Sequence, residues 1–198
     1  MARPQQFERE DVLDKALGVF WLKGFESTSV QDLVDATGLN RGSIYLAFGD
    51  KAELFAEVME RYRDNSPTKP LVEALNTPDS GTDIHALIVS FFKALVKRAR
   101  ADQEQKGCLL TNTSAGFYGC NDTMTEWVRD TLSGLEDMLC TLVKRGQKRG
   151  DIACTHKPRA IARSLVASAQ GLNVMARTGA KPKALKHIAA QAVRVLDK

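Results

Sequence analysis

The chain has 198 residues, of which 43% are hydrophobic and 26% charged, with 28 basic and 24 acidic side chains and a formal net charge of +4. This is ordinary globular composition for one or two domains, and it excludes extended disorder and a coiled-coil rod. No apolar run approaches the roughly 20 residues that span a bilayer, and the opening MARPQQFERED has no apolar leader segment, so a soluble cytoplasmic protein without a membrane partner is expected.

Hydrophobic periodicity predicts an all-α chain of about nine helices. A first helix runs from about Glu8 to Lys23, with Val12, Leu13, Ala16, Leu17, Phe20 and Trp21 as its apolar stripe. Glu8, Glu10 and Asp11 favour the positive end of its dipole, and Gly24 stops it. A second helix carries Val30, Leu33 and Val34 on one face, opened by the S-x-x-D pair Ser29 and Asp32, a variant of the capping box. Thr37-Gly38-Leu39 breaks it. Asn40 is a good N-cap for a third helix of about two turns, which Gly49 closes. Asp50 and Glu53 open a fourth helix with Leu54, Phe55, Val58, Met59 and Tyr62 inward. Helices two and three are too short to stand alone in water, so they must pack on the first. Helix, glycine-containing turn and helix is the pattern of a helix-turn-helix, whose second helix enters the major groove of DNA. Residues 6–66 are read as this domain.

Residues 64–81 are rich in Asn, Ser, Pro and Gly and are read as a linker, with Leu71 to Leu75 as a short helical piece within it. A C-terminal domain, 82–198, follows. Its helices cover about 82–101 (Phe91 and Phe92 inward), a segment from Gly107 fading at Phe117 to Cys120, and Asp122 to Arg149. The eighth and ninth helices open at the N1 prolines Pro158 and Pro182.

Charge does not simply support a nucleic-acid partner. Residues 1–63 hold 8 basic against 11 acidic side chains, and the remainder 20 against 13. DNA binding must therefore rest on where Arg3, Arg9, Arg41 and Lys51 point. On the third helix Ile44 and Phe48 face the core, leaving Gly42, Ser43 and Leu46 outward with Arg41 and Tyr45 flanking. Ser43 and Tyr45 suit phosphate oxygens, Arg41 a phosphate or guanine edge, and Leu46 a thymine methyl. Lys51, in the first turn of the next helix, suits a phosphate. The competing reading buries Tyr45 and Leu46 against helix one or four.

Cys108, Cys120, Cys140 and Cys154 form no CxxC pair, and His85, His156 and His187 share no i, i+4 spacing. Reduced thiols, no metal and no cofactor are expected.

At F-x-x-K-G-F (Phe20 to Phe25), T-S-V (Thr28 to Val30), T-G-L-N-R-G-S-I-Y (Thr37 to Tyr45) and F-G-D-K-x-x-L-F (Phe48 to Phe55), the chain resembles the TetR family of bacterial transcriptional regulators. The resemblance implies an all-helical homodimer, paired through helices eight and nine, that binds double-stranded operator DNA. It also implies repression relieved by a small ligand in the C-terminal domain. It implicates Thr28, Ser29, Arg41, Gly42, Ser43, Tyr45 and Lys51 in DNA contact. Where many relatives carry His or Tyr, this chain has Leu46.

The segment K-G-C-L-L-T-N, Lys106 to Asn112, looks like the G-C-L-x-x-N start found in one branch, some of whose members sense electrophiles or oxidants through that cysteine. A thiol in a first helical turn beside Lys106 would have a lowered pKa. The plain alternative is a small buried residue in a helix contact. Phe91, Phe92, Cys108, Leu110, Asn112, Phe117, Trp127, Met138, Leu172 and Met175 are the expected effector-pocket residues, with Leu135, Thr113, Ser168 and Gln170 as further members. Two other readings stand beside the regulator. One is a DNA-binding dimer without an effector, which ligand-induced loss of DNA affinity would exclude. The other is a helical enzyme with an incidental head; against it, no triad, paired carboxylates or phosphate loop is found, so no catalytic residue is expected.

Overall fold

The computed structural model describes residues 8–64, 66–77, 81–116 and 122–198. Among these residues there is no strand. Ten helices follow in order: α1 Arg9–Lys23, α2 Val30–Thr37, α3 Arg41–Phe48, α4 Lys51–Asp64, α5 Lys69–Asn76, α6 Ile84–Ala101, α7 Leu109–Gly116, α8 Asp122–Arg149, α9 Pro158–Arg177 and α10 Pro182–Val193. A 3₁₀ turn, Arg194–Leu196, ends the last.

In the head, α1 packs on α2 and α4, and α3 bridges α2 and α4. The short helices are held because each buries its apolar residues here: Leu33 from α2, Ile44 and Phe48 from α3. Removing such a side chain from water is worth roughly 1.5–3 kcal/mol, which offsets the cost of forming two-turn helices. Phe55 of α4 is the hub. Its ring meets Phe20 edge-on at 5.0 Å and Phe25 at 5.1 Å between centroids. Across the surface, Arg61 of α4 pairs with Glu10 and Asp14 of α1. Arg9 donates to the Ala47 carbonyl at 2.8 Å and lies over the Phe48 ring, anchoring the end of α3.

The body packs α8 on α9, and α10 on α6 and α9. Its core runs from Phe92 and Ile88 of α6 through Leu139, Leu142 and Val143 of α8 to Leu165 and Leu172 of α9. No helix among the described residues is long and apolar enough to cross a membrane.

The linker reading of 64–81 needs correction at its centre. Helix α5 buries Leu71 and Ala74 in the body core, and Arg145 of α8 donates to the Ala74 and Leu75 carbonyls at its C-terminal end. It is therefore an element of the body, and the helix count rises from about nine to ten. The boundary at residue 82 is also crossed in the other direction. Cys108 and Leu109 lie in the head's core cluster, and Leu110 and Trp127 pack against it. Trp127 meets Phe55 at 6.3 Å, and the Trp21 indole N–H donates to the Gly107 carbonyl at 3.2 Å. The start of α7 is thus seated on the head.

Candidate functional site

The α2–turn–α3 unit is fixed by backbone chemistry at each end. Ser29 Oγ accepts from the Asp32 N–H at 3.1 Å while the Asp32 carboxylate accepts from the Ser29 N–H at 2.9 Å, a complete capping box. Lys23, bonded to Asp32 at 2.6 Å, with the Ser29 donors behind it, holds that carboxyl down to about 2. Gly38 ends α2 in the left-handed conformation, φ 76° and ψ 2°, where a Cβ would be strained. Asn40 Oδ1 then accepts from the Ser43 N–H at 2.8 Å and starts α3.

Helix α3 is two-faced. Ile44 and Phe48 are buried at 2% and 4% exposure, while Leu46 stands 91% exposed. Arg41 and Gly42 are exposed and Ser43 and Tyr45 half-buried. The reading that buried Leu46 against helix one or four is thereby excluded. Arg41 leans along the helix, its guanidinium 5.4 Å from the Tyr45 ring centre and donating to the Tyr45 hydroxyl at 3.3 Å. This contact pre-orients a cation at the exposed N-terminal end of α3. A glycine, a hydroxyl, a guanidinium and a free isobutyl group on one convex face suit a groove surface carrying phosphates and base edges.

Two expected DNA contacts have side chains occupied inside the protein. Thr28 is 1% exposed, and its hydroxyl donates to the Gly24 carbonyl at 2.6 Å. Lys51 donates to the carbonyls of Phe25 and Thr28, each at 3.0 Å, and sits 4.4 Å from the Phe25 ring centre. The Lys51 ammonium, expected at a phosphate, is thus held by backbone carbonyls in the DNA-free chain. It is a clamp on the α1–α2 turn, whose Phe25 and Thr28 carbonyls both face it.

A family profile described as bacterial regulatory proteins, tetR family, matches residues 12–58, and one described as tetracyclin repressor-like, C-terminal domain, matches residues 86–192. The chain belongs to the TetR family. It is a DNA-binding transcriptional regulator, not an enzyme. Similar proteins include the HTH-type transcriptional repressor ComR of Escherichia coli (strain K12), 28% identical over 193 residues, 98% of this chain and 90% of that one. The uncharacterized HTH-type transcriptional regulator YezE of Bacillus subtilis (strain 168) is 26% identical over the whole of both chains. Among solved structures, a cysteine mutant of the TetR-family regulator CifR complexed with 26-bp operator DNA superposes with a TM-score of 0.86 at 22% identity, covering 98% of this chain and 100% of that one. The reduced form of E. coli NemR superposes with a TM-score of 0.76 at 19% identity, covering 95% and 96%.

In this TetR-family chain the expected effector residues do not converge on one cavity. Leu110, Trp127 and Met138, with Leu135, line a cleft of about 460 Å³ that Met59 and Tyr62 of α4 close from the head side. Phe91, Phe92 and Leu172 are instead body core, at 5%, 1% and 0% exposure. Asn112 faces a separate recess beside Gly24 and Arg177. Met175 is 42% exposed on α9. Phe117 lies outside the described residues, as does Cys120. Apolar residues at helical spacing divide between core and cleft according to helix rotation, which a single sequence does not reveal.

Cys108 sits immediately before α7, its carbonyl accepting from the Asn112 N–H at 2.9 Å, rather than within the first turn. Its charge partner also differs from expectation: Lys106 pairs with Glu104 at 2.5 Å. The buried Cys108 sulfur accepts from the Tyr62 hydroxyl at 3.4 Å, and that hydroxyl accepts from Arg98 at 2.9 Å. Burial pushes the Cys108 thiol up, but the Arg98 guanidinium, the Tyr62 hydroxyl and the Thr111 backbone N–H together outweigh it and bring the thiol below its ordinary value. Burial, then the neighbouring sulfur, push the Tyr62 phenol up, so it remains a donor. Arg98 also reaches the Asn173 amide oxygen on α9 at 3.4 Å. The thiol thus lies in a chain of contacts from α4 of the head through α6 to α9. Tyr62 was read from the sequence only as part of an apolar face and Arg98 was not singled out; nothing in their spacing announces this pairing.

Proposed function

We propose that two copies of the chain pair through α9 and α10 and set their α3 helices in successive major-groove turns of a two-fold-symmetric operator, repressing transcription in the cytoplasm until an effector acts on the body. The observation that carries this reading is the outward face of α3, with Leu46 exposed and Arg41 braced on Tyr45. Arg41, Gly42, Ser43, Tyr45 and Leu46 face the groove, Ser29 meets a phosphate at the start of α2, and Thr28 and Lys51 hold the turn behind them. Pairing is supported by Ala167, Gly171, Val174 and Met175, all exposed along one side of α9. Operator binding by CifR is consistent with the DNA role.

Two routes of release fit the body. An apolar ligand in the Tyr62–Trp127–Met138 cleft would wedge α4 against α8. An electrophile at Cys108 would end the Tyr62 bond and displace α4 from its seat on α7, since the lowered thiol pKa raises the fraction of nucleophilic thiolate. We favour the second for this chain, because thiol, phenol and guanidinium form one connected group at the head–body contact. The experiment is to treat the purified protein with N-ethylmaleimide and measure binding to DNA selected by the untreated protein. Release by the parent and retention by Cys108→Ser are expected. Equal release by Cys108→Ser ends the thiol reading.

A further inference from the structure

We propose that the groove between α6 and α10 is a second small-molecule site, distinct from the cleft beside Tyr62, and that it takes an amphipathic anion: a carboxylate or similar headgroup on an unbranched apolar tail. The groove measures about 480 Å³, within the size range of small-molecule sites. Its floor is apolar, made by Phe92 and Val96 of α6 and Val193 of α10. Ala189 and Ala190 on α10, facing these larger residues, leave the space open.

Its rim is cationic on both sides. Lys93, Lys97 and Arg100 follow one another at i, i+4 and i+7 along α6, and Lys186 stands opposite on α10. Like charges at that spacing oppose one another on a helix, so the stripe costs stability unless something offsets it. Nothing within the described protein does so. None of the four has an ion pair or hydrogen bond among the described residues, and neither α6 nor α10 contains an Asp or Glu. The chain's basic excess also lies outside the head, where 20 basic residues face 13 acidic ones after residue 63, so DNA contact by α3 does not account for it. A neutral apolar ligand would need no cations here, and a purely ionic one would need no apolar floor. The two features together specify an anion with a tail.

The test is calorimetric titration of the full chain with sodium decanoate below its micellar concentration, beside decan-1-ol and decyltrimethylammonium, which keep the tail and change the head. Decanoate is expected to bind at one site per chain, more weakly as salt rises. Decan-1-ol and the Lys93→Gln/Lys97→Gln variant should each lower affinity by roughly tenfold or more, the size expected for losing contact charge attraction at a protein surface. The cationic amphiphile should not bind. Lys186→Gln, from the other helix, should weaken binding in the same direction, and Ala190→Trp, which fills the groove, should abolish it. Equal binding of decanoate and decan-1-ol overturns the proposal, as does unchanged affinity in the lysine variants. Retention by Ala190→Trp would put the ligand in the other cleft, and absence of decanoate binding would remove the site altogether.

Discussion

Replacing Lys51 by Met separates a structural clamp from a DNA contact. The substitution keeps the apolar stem over Phe25 and removes only the ammonium. Two charge-assisted hydrogen bonds to the Phe25 and Thr28 carbonyls are lost, with the cation–ring contact. Bonds to a charged donor contribute about 1.5–3 kcal/mol when buried, and an exposed cation–ring contact about 0.5–1 kcal/mol. Lys51 is half-buried, so water replaces part of what is lost, and a net cost of about 2–3 kcal/mol is expected. For a chain of this size that is a fall in melting temperature of roughly 5–10 °C, read by circular dichroism. The salt dependence of DNA binding, measured well below the melt, should keep its slope. A phosphate contact predicts the reverse: an unchanged melt and a slope reduced by about 0.9. That outcome would refute the clamp.

Three further outcomes follow from the packing and the titrating groups. Asp32→Asn should lower the melting temperature at neutral pH. Because the folded carboxyl is depressed to about 2 from 3.8, its contribution is complete above the unfolded value and fades as pH falls, so the difference from the parent should shrink below about pH 4 and close near pH 2. Tyr62→Phe in a chain whose only cysteine is Cys108 should move the ultraviolet-monitored thiolate titration to higher pH, since a donor to the sulfur is gone; an unchanged titration would show that the hydroxyl has no hold on the thiol. Gly146→Ala should cost about 1–3 kcal/mol by urea unfolding, because the new Cβ would stand 2.7 Å from Ile152 Cδ1 and 3.1 Å from Ile84 Cβ.

The head was legible because its signals are local. Ser29 with Asp32, Asn40 with Ser43, and Asp50 with Glu53 each act within three residues, and all three caps form as their spacing suggests. Helix α5 was underread because its stability comes from partners far along the chain: Arg145, at its C-terminal end, lies about 70 residues away. The same separation hid the thiol's surroundings. Lys106 is adjacent in sequence, but the groups that govern Cys108 come from Tyr62, 46 residues before it, and Arg98 on another helix. Lys51 illustrates a different limit. A lysine in a first helical turn suits a phosphate or a pair of carbonyls equally well, and only the fold of the preceding turn decides between them.

The most direct test of α3 as the reading element is selection of duplexes from a random-sequence pool by the full-length protein, followed by affinity measurement with Arg41→Ala and Leu46→Ala. The account predicts a selected sequence with two-fold-related half-sites. Arg41→Ala should lose about 1–3 kcal/mol of binding free energy and relax preference at one position in each half-site, with its melting temperature unchanged. Leu46→Ala should relax preference at another. Unselective enrichment, or selected DNA held equally well by both variants and the parent, would contradict it.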